Sequence, residues 1–239
     1  MNETYKVQVQ DLVDDLKAVF THAGLGGEAG EYKLLTQSFL YKFLNDKFLY
    51  QAQVLDAGNT YENLLTMGEE DYDWLLEDIG TSTAWLKPDQ LIETLHRQQN
   101  EPTFYETFEN SLNQIAIDNN DIFSVHTDGD TAIRLFDERL ITDTISDSSK
   151  RNEVAKSIIN LLARVKFDET IFSQGFDFFS TLFEYMIKDY NKDGGGKYAE
   201  YYTPHSVAKI IADILVGNDQ PSNVRIYDPS AGSGTLLMN

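Results

Sequence analysis

Val224-Arg225-Ile226-Tyr227-Asp228-Pro229-Ser230-Ala231-Gly232-Ser233-Gly234-Thr235-Leu236-Leu237 is the stretch on which the reading of the fold turns. It opens with a short β-prone run, passes through glycine and small residues, and closes on apolar, helix-forming ones. Glycines at 232 and 234 let the backbone turn sharply and approach a ligand closely, because no Cβ stands in the way. A third glycine at the dinucleotide spacing is missing, since position 237 is Leu. No G-x-x-x-x-G-K-[ST] occurs either, so phosphate cradling is disfavoured. An ordinary strand-to-helix turn could use the same residues, so the motif takes its meaning from its neighbours.

Those neighbours lie upstream. Gly194-Gly195-Gly196 reads as a hinge, followed by Glu200-Tyr201-Tyr202-Thr203-Pro204-His205, with Pro204 standing 24 positions before Asp228. Thr203 suits an N-cap and Pro204 the first helical position, where a missing N–H costs nothing. Val207, Ile210, Ile211, Ile214 and Leu215 then form one helical face, ending at Gly217. Helix, strand, glycine loop and the start of a second helix make the opening of an α/β sheet.

The earlier two thirds read as successive amphipathic helices. Val9, Leu12, Val13, Leu16, Val19 and Phe20 recur at steps of three and four before Gly24. Glu31 to Tyr50 carries Leu34, Leu35, Phe39, Phe43 and Leu44. Phe104, Phe108, Leu112, Ile115 and Ala116 mark a third helix. Val154, Ile158, Ile159, Leu161, Leu162 and Val165 mark a fourth. Phe178, Phe179, Leu182, Phe183, Met186 and Tyr190 mark a fifth, strongly aromatic one. Such stripes are expected to be helix-bundle core. Between Tyr61 and Asp89 the periodic signal weakens. Asp118 to Asp130 and Thr142 to Ser149, rich in Asp, Asn, Ser and Thr, read as loops, the second as a candidate boundary inside the helical part.

Three patterns imitate function. Gly24-Leu25-Gly26-Gly27-Glu28-Ala29 fits a loose G-x-G-x-x-A, but it follows a helix rather than a strand, so a helix stop and loop is the better reading. Asp189, Asn191, Asp193, Gly194 and Glu200 match the specified positions of a calcium loop. Gly196 nevertheless stands where that loop wants an apolar residue, Lys197 adds positive charge near a ligand position, and Pro204 delays the exiting helix. A hinge is preferred. The acidic run Glu69-Glu70-Asp71-Tyr72-Asp73 with Glu77-Asp78 reads as a solvated acidic face rather than a metal site, and no metal site is assigned.

Taken together, Tyr201 to Pro204 and Ile226 to Leu237 resemble the cofactor site of N6-adenine DNA methyltransferases. More narrowly, they are similar to the modification (M) subunit of type I restriction-modification systems, which carries [FY]-[FY]-T-P, a helix, then [IV]-[YF]-D-P-x-[AC]-G-[ST]-G-x-[FL]-L. Gly175-Phe176-Asp177-Phe178-Phe179 to Glu184-Tyr185 resembles the helix before the family's hinge, and the amino-terminal helices resemble its assembly domain more loosely. The resemblance is specific over about residues 165–239. It implies a mainly α helical N-terminal domain over residues 1–165. Residues 166–239 would then be a connecting helix, hinge and truncated start of an α/β Rossmann-like S-adenosylmethionine-dependent methyltransferase domain. Glu200, Tyr201, Tyr202, Thr203, Pro204 and His205 would contact the methionine part of S-adenosylmethionine, one of the tyrosines serving packing alone. Asp228, Pro229, Ser230, Ala231, Gly232, Ser233 and Gly234 would hold the cofactor where the first strand ends, a carboxylate being suited to an ammonium group or to loop amides.

The family's chemistry needs a further motif, [NDS]-P-P-[FY], that grips the exocyclic amine of a flipped adenine. The five prolines stand at 88, 102, 204, 221 and 229, none adjacent, so the motif is absent. The chain is therefore expected to be an amino-terminal fragment, inactive alone, and no catalytic residue is assigned. The alternative is a non-catalytic helical assembly module. The implied partners are a specificity (S) subunit, a second M subunit and the restriction (R) subunit, with DNA reached through the assembled complex.

Composition bounds these readings. The chain has 239 residues, 41% apolar and 24% charged, a globular rather than disordered balance. Absent cysteine excludes disulfides and Cys-based zinc sites and fits a reducing, cytoplasmic setting. No apolar run approaches a membrane span and Met1–Gln10 lacks a secretory layout, so no membrane partner is expected. A net charge of −20 repels phosphate backbones, so the grip on DNA is expected to lie outside this segment.

Overall fold

The computed structural model describes residues 3–27, 29–123, 125–126, 132–167, 169–173, 203, 205–216, 227–229 and 236. The chain divides into two compact units, Val7–Gln174, and Gly175–Asn239 together with Met1–Lys6.

The larger unit is built around one helix. Preceding it, α1 (Glu3–Ala23) buries Val9, Leu12, Val13, Leu16 and Phe20 along the expected face, while Val19 is only half-buried. The Gly24 N–H donates to the Thr21 carbonyl at 3.0 Å and the Leu25 N–H to Phe20 at 2.9 Å, with Gly24 at φ +96°. This is a glycine-terminated helix stop with a buried Leu25 packed behind it, as expected for the 24–29 stretch.

The central helix, α2 (Ala29–Leu55), is longer than its apolar stripe suggested. It is buried nearly all round: Leu34, Leu35, Phe39, Tyr41, Leu44, Phe48 and Ala52 are enclosed, and so are Glu31, Ser38, Lys42, Asn45 and Asp46. A helix with neighbours on every side loses its one-faced pattern, and three later helices, Glu69–Ile79, Leu140–Thr144 and Arg151–Arg164, all pack on it.

The weak region from Tyr61 to Asp89 holds α3 (Tyr61–Thr66), N-capped by Thr60, and α4 (Glu69–Ile79), closed by Gly80. Tyr72, Leu75 and Ile79 on α4 are buried at helical spacing, and the acidic run around them hides that stripe in the sequence. Glu69, Glu70 and Asp71 lie in the first turn, where the helix dipole favours negative charge. A 3-10 turn, Pro88–Gln90, leads to α5 (Ile92–Gln98) and α6 (Phe104–Asp118), and the buried residues of α6 include all five read from the sequence.

The loop expected from Asp118 to Asp130 contains a short α7 (Asn120–Phe123) and the first strand of a two-residue hairpin, β1 (Val125–His126) with β2 (Ala132–Ile133), antiparallel with Val125 opposite Ile133. The expected loop from Thr142 contains the end of α8 (Leu140–Thr144) and a 3-10 turn, Ser148–Lys150. It separates nothing, because α8 packs on α2, α6 and α9. α9 (Arg151–Arg164) buries Val154, Ile158, Ile159 and Leu162 and lies against α5 and α6. α10 (Glu169–Ser173) follows. Tyr41 stands at the centre, edge-on to Phe108 at 6.1 Å and to Phe136 at 6.5 Å.

In the second unit the described helix is α11 (His205–Val216), stopping one residue before Gly217 as expected. The aromatic helix 178–190, the glycine hinge 194–196, the calcium-like pattern 189–200 and the glycine loop 230–234 lie outside the described residues. So does the β-prone run except Tyr227, and the expected Rossmann-like start is not among the described elements. No described helix is long and apolar enough to cross a membrane.

Candidate functional site

Four residues of the expected cofactor site are described. Thr203 is half-buried and non-helical, and His205 opens α11. Asp228 is half-buried in irregular backbone, between a highly exposed Tyr227 and Pro229, which stands in a turn. Glu200, Tyr201, Tyr202, Pro204, Ser230, Ala231, Gly232, Ser233 and Gly234 lie outside the described residues. A threonine hydroxyl can donate or accept and a carboxylate accepts, so each, with some access to solvent, is of a type that can bind an ammonium or hydroxyl group.

α11 itself is built for burial on the face the sequence marked. Val207, Ile210, Ile211, Ile214 and Leu215 recur at three and four, yet all are exposed, Ile214 at 73% and Leu215 at 80%. Ala208, on the flank of that face, is fully buried. Lys209 and Asp213 pair across the opposite, polar face at 4.0 Å.

The larger unit contains a groove of about 880 Å³. Its walls come from α2, the start of α3, α5 and the stretch after α9, with Tyr50, Tyr61, Arg97, Lys166 and Phe167 among the lining residues. At its floor Lys42 donates to Asp46 at 2.9 and 3.0 Å, and both side chains are buried. Asp46 also accepts from the Asn45 side-chain amide at 2.8 Å and from the Phe167 backbone N–H at 2.8 Å, while Asn45 Oδ1 accepts the Ile92 backbone N–H at 2.9 Å. Burial pushes the Lys42 ammonium below its usual value, against the pull of the Asp46 carboxylate. These groups satisfy one another, so the network fastens α5 and the stretch after α9 to α2 rather than presenting free valences. Sequence reasoning passed over it, although a Lys and an Asp four apart inside a helix of such apolar content are a readable signal.

At the rim, Arg97 donates to Glu62 at 2.6 Å and lies 4.9 Å over the Tyr61 ring. Elsewhere, His96 meets Asn160 at 3.1 Å. The acidic side chains of α4 are exposed, as a solvated face requires, with Trp74 exposed among them. Among the described residues no group of acidic or histidine side chains could hold a metal ion.

Comparison with known proteins supplies what geometry alone does not. Residues 174–239 match the family model described as N-6 DNA Methylase. The chain is 23% identical over 246 residues to the type I restriction enzyme MpnII methylase subunit of Mycoplasma pneumoniae (strain ATCC 29342 / M129 / Subtype 1). That alignment covers 97% of this chain and 42% of the relative, so it takes in the helical unit as well as the motif region. No solved structure matches. The two matches bear out the resemblance drawn from Tyr201–Pro204 and Ile226–Leu237.

Proposed function

We propose that this chain is the amino-terminal portion of a type I modification subunit, a site-specific DNA (adenine-N6) methyltransferase that uses S-adenosylmethionine. The observation that carries the reading is the overlap of the N-6 DNA methylase match, residues 174–239, with both sequence motifs. The relative's greater length supports the view that adenine recognition is supplied by polypeptide outside this segment, since the chain spans 42% of it and has no adjacent prolines.

When bound, S-adenosylmethionine supplies an electrophilic methyl group on a sulfonium sulfur. The chain's own residues bind and orient. The Asp228 carboxylate is assigned to the cofactor's polar groups or to the amides of the 230–234 turn, where charge-assisted hydrogen bonds are strongest. Glycine at 232 and 234, with no Cβ, would let the backbone there approach the cofactor closely. Thr203, just before α11, and its neighbours Glu200, Tyr201, Tyr202, Pro204 and His205 are assigned to the methionine end. None is assigned a proton-transfer role, because methyl transfer depends on aligning nucleophile and methyl more than on a strong base.

A second reading, a helical assembly module without cofactor competence in this form, is favoured by one observation: Val7–Gln174 is a compact unit with its own core. Both readings use that unit to meet a specificity subunit and a second M subunit, with a restriction subunit and DNA engaged by the complex. Calorimetry separates them for this chain. Heat on titration with S-adenosylmethionine demonstrates a working pocket; its absence at millimolar cofactor, the result we expect, leaves residues 1–239 as an assembly segment, because half a pocket pre-organises little. Methyl incorporation into DNA by the complete gene product tests the activity itself, and its failure with intact partner subunits rejects the methyltransferase reading.

A further inference from the structure

We infer that the outer face of α4, centred on Trp74, is a docking surface for an arginine-bearing segment of another polypeptide. The inference stands on α4 alone and is independent of the cofactor reading.

The two faces of this helix do different things. Tyr72, Leu75 and Ile79 are buried, and the Tyr72 hydroxyl donates to the Leu86 carbonyl, so the inner face already anchors α4. Trp74 stands on the other side and is 61% exposed. Glu70, Glu77 and Asp78 lie at the i−4, i+3 and i+4 positions from it, the spacings that set side chains beside one another on a helix. Glu69, Glu70, Asp73 and Glu77 border, with Trp74, an open hollow of about 520 Å³.

Folding gains little from this outer face. Its carboxylates are all exposed, and none forms an ion pair among the described residues. Glu69, Asp73 and Glu77 follow one another at steps of four, where like charges repel. Glu77 and Asp78 occupy the last turn, which has no basic residue, at the end where the helix dipole disfavours negative charge. Acidic residues by themselves only keep a helix face wet, but a wet face has no use for an exposed indole. A tryptophan rimmed by polar groups is the composition of an interaction hot spot.

Charge and shape name the occupant. No acidic group among the described residues could hold a metal ion, so the matching cation is a diffuse one. A guanidinium stacks on an indole and offers its N–H fork to neighbouring carboxylates. Phosphate backbones, anionic membranes and a second copy of a chain at −20 are all repelled. The 19 basic residues of this chain are scattered, with Lys150-Arg151 the one adjacent pair, and Arg151 already donates to the Ile145 and Thr142 carbonyls. The segment therefore comes from a different polypeptide.

Calorimetry on the 239-residue chain at about 0.15 M salt tests this with an alanine-based helical peptide carrying arginine on one face, and with its lysine counterpart. The arginine peptide is expected to bind saturably, and about 5- to 10-fold more weakly to Trp74→Ala and to Glu70→Gln with Glu77→Gln. Trp74→Phe, which keeps an aromatic face, should lose less. Asp11→Asn with Asp15→Asn removes the same charge from exposed sites on α1 and should leave the affinity as it was. Every variant alters only solvent-facing groups, so unchanged circular-dichroism melts are expected. Full affinity in Trp74→Ala overturns the inference, as does a parent chain that fails to bind. Equal losses from the two charge-neutralised pairs overturn it too, because net charge alone then attracts the peptide. A lysine peptide that binds as tightly removes the guanidinium and sinks the proposal.

Discussion

The carboxylate of Asp46 accepts the backbone N–H of Phe167 at 2.8 Å, joining residues 121 positions apart. The same carboxylate holds the buried Lys42 ammonium and the Asn45 amide. Asp46→Ala is therefore expected to strand a buried cation and a buried amide together, at a cost of about 3–5 kcal/mol. Lys42→Met with Asp46→Leu is expected to recover much of that loss, since an ion pair replaced as a unit leaves no orphaned charge. Urea melts of the two variants check it; equal losses in both would mean that the pair itself stabilises the unit.

Two enclosed phenols set the alkaline limit. Tyr41 donates to the Gln90 carbonyl at 2.6 Å and Tyr72 to Leu86 at 2.5 Å, and burial raises both above the usual phenol value of 10.0. The folded state then keeps protons that the unfolded chain releases, so stability is full below pH 10.0 and falls as pH climbs beyond it. Lys42 acts in the opposite sense, because its lowered value lets the folded state shed a proton first, but it is one group against two. Midpoints of thermal unfolding from pH 8 upward are expected to drop past pH 10.0, and Tyr41→Phe with Tyr72→Phe to flatten the drop while lowering stability at neutral pH by about 1–3 kcal/mol per bond lost.

Gly30 marks a close approach of α2 to α8. A Cβ built there meets the Thr144 Cγ2 at 2.8 Å. Gly30→Ala is expected to destabilise by about 1–3 kcal/mol through overpacking, despite alanine's better helix propensity. Thr144→Ser removes the offending methyl, and the double variant should regain stability. Chemical denaturation of all three proteins tests the coupling.

Asp228 is the residue whose loss should separate binding from folding. In the complete gene product, Asp228→Ala is expected to weaken S-adenosylmethionine binding by about 10- to 100-fold, the value of one or two hydrogen bonds to a charged group. Its melting temperature without cofactor should change little, since the side chain is only half-buried. Unchanged affinity by calorimetry moves the cofactor away from the 228–234 turn.

The helices with one apolar face were legible because their burial repeats at 3.6 residues: α1, α6 and α9 bury the residues the spacing selects, Val19, Leu161 and Val165 (just past the end of α9) being half-buried exceptions. α2 was legible in existence but not in extent, since burial on all sides erases the contrast on which periodicity depends. α4 was missed because its three inward residues, Tyr72, Leu75 and Ile79, sit among six carboxylates that dominate the local composition. α8 was missed for its length, five residues being too few to show a period. The polar floor of the groove escaped for another reason: Lys42, Asn45 and Asp46 resemble surface residues until Phe167 and Ile92 are seen to close over them. The candidate cofactor site was read the other way round, from motif to chemistry, and of its residues Thr203, His205, Asp228 and Pro229 are the ones the structure describes.

The all-round burial of α2 has a consequence for how the protein is made. A helix of 27 residues leaves the ribosome early, but the groups that close its sides arrive late, Asp137 against Gln37 and Phe167 against Asp46. At about 5–20 residues per second, the gap between Asp46 and Phe167 leaves the apolar flanks of α2 uncovered for roughly ten seconds of synthesis. Through that interval the nascent chain leaves Leu34, Phe39, Leu44 and Phe48 without the late-made groups that enclose them, so the pace of synthesis sets how long this sticky surface is open to aggregation.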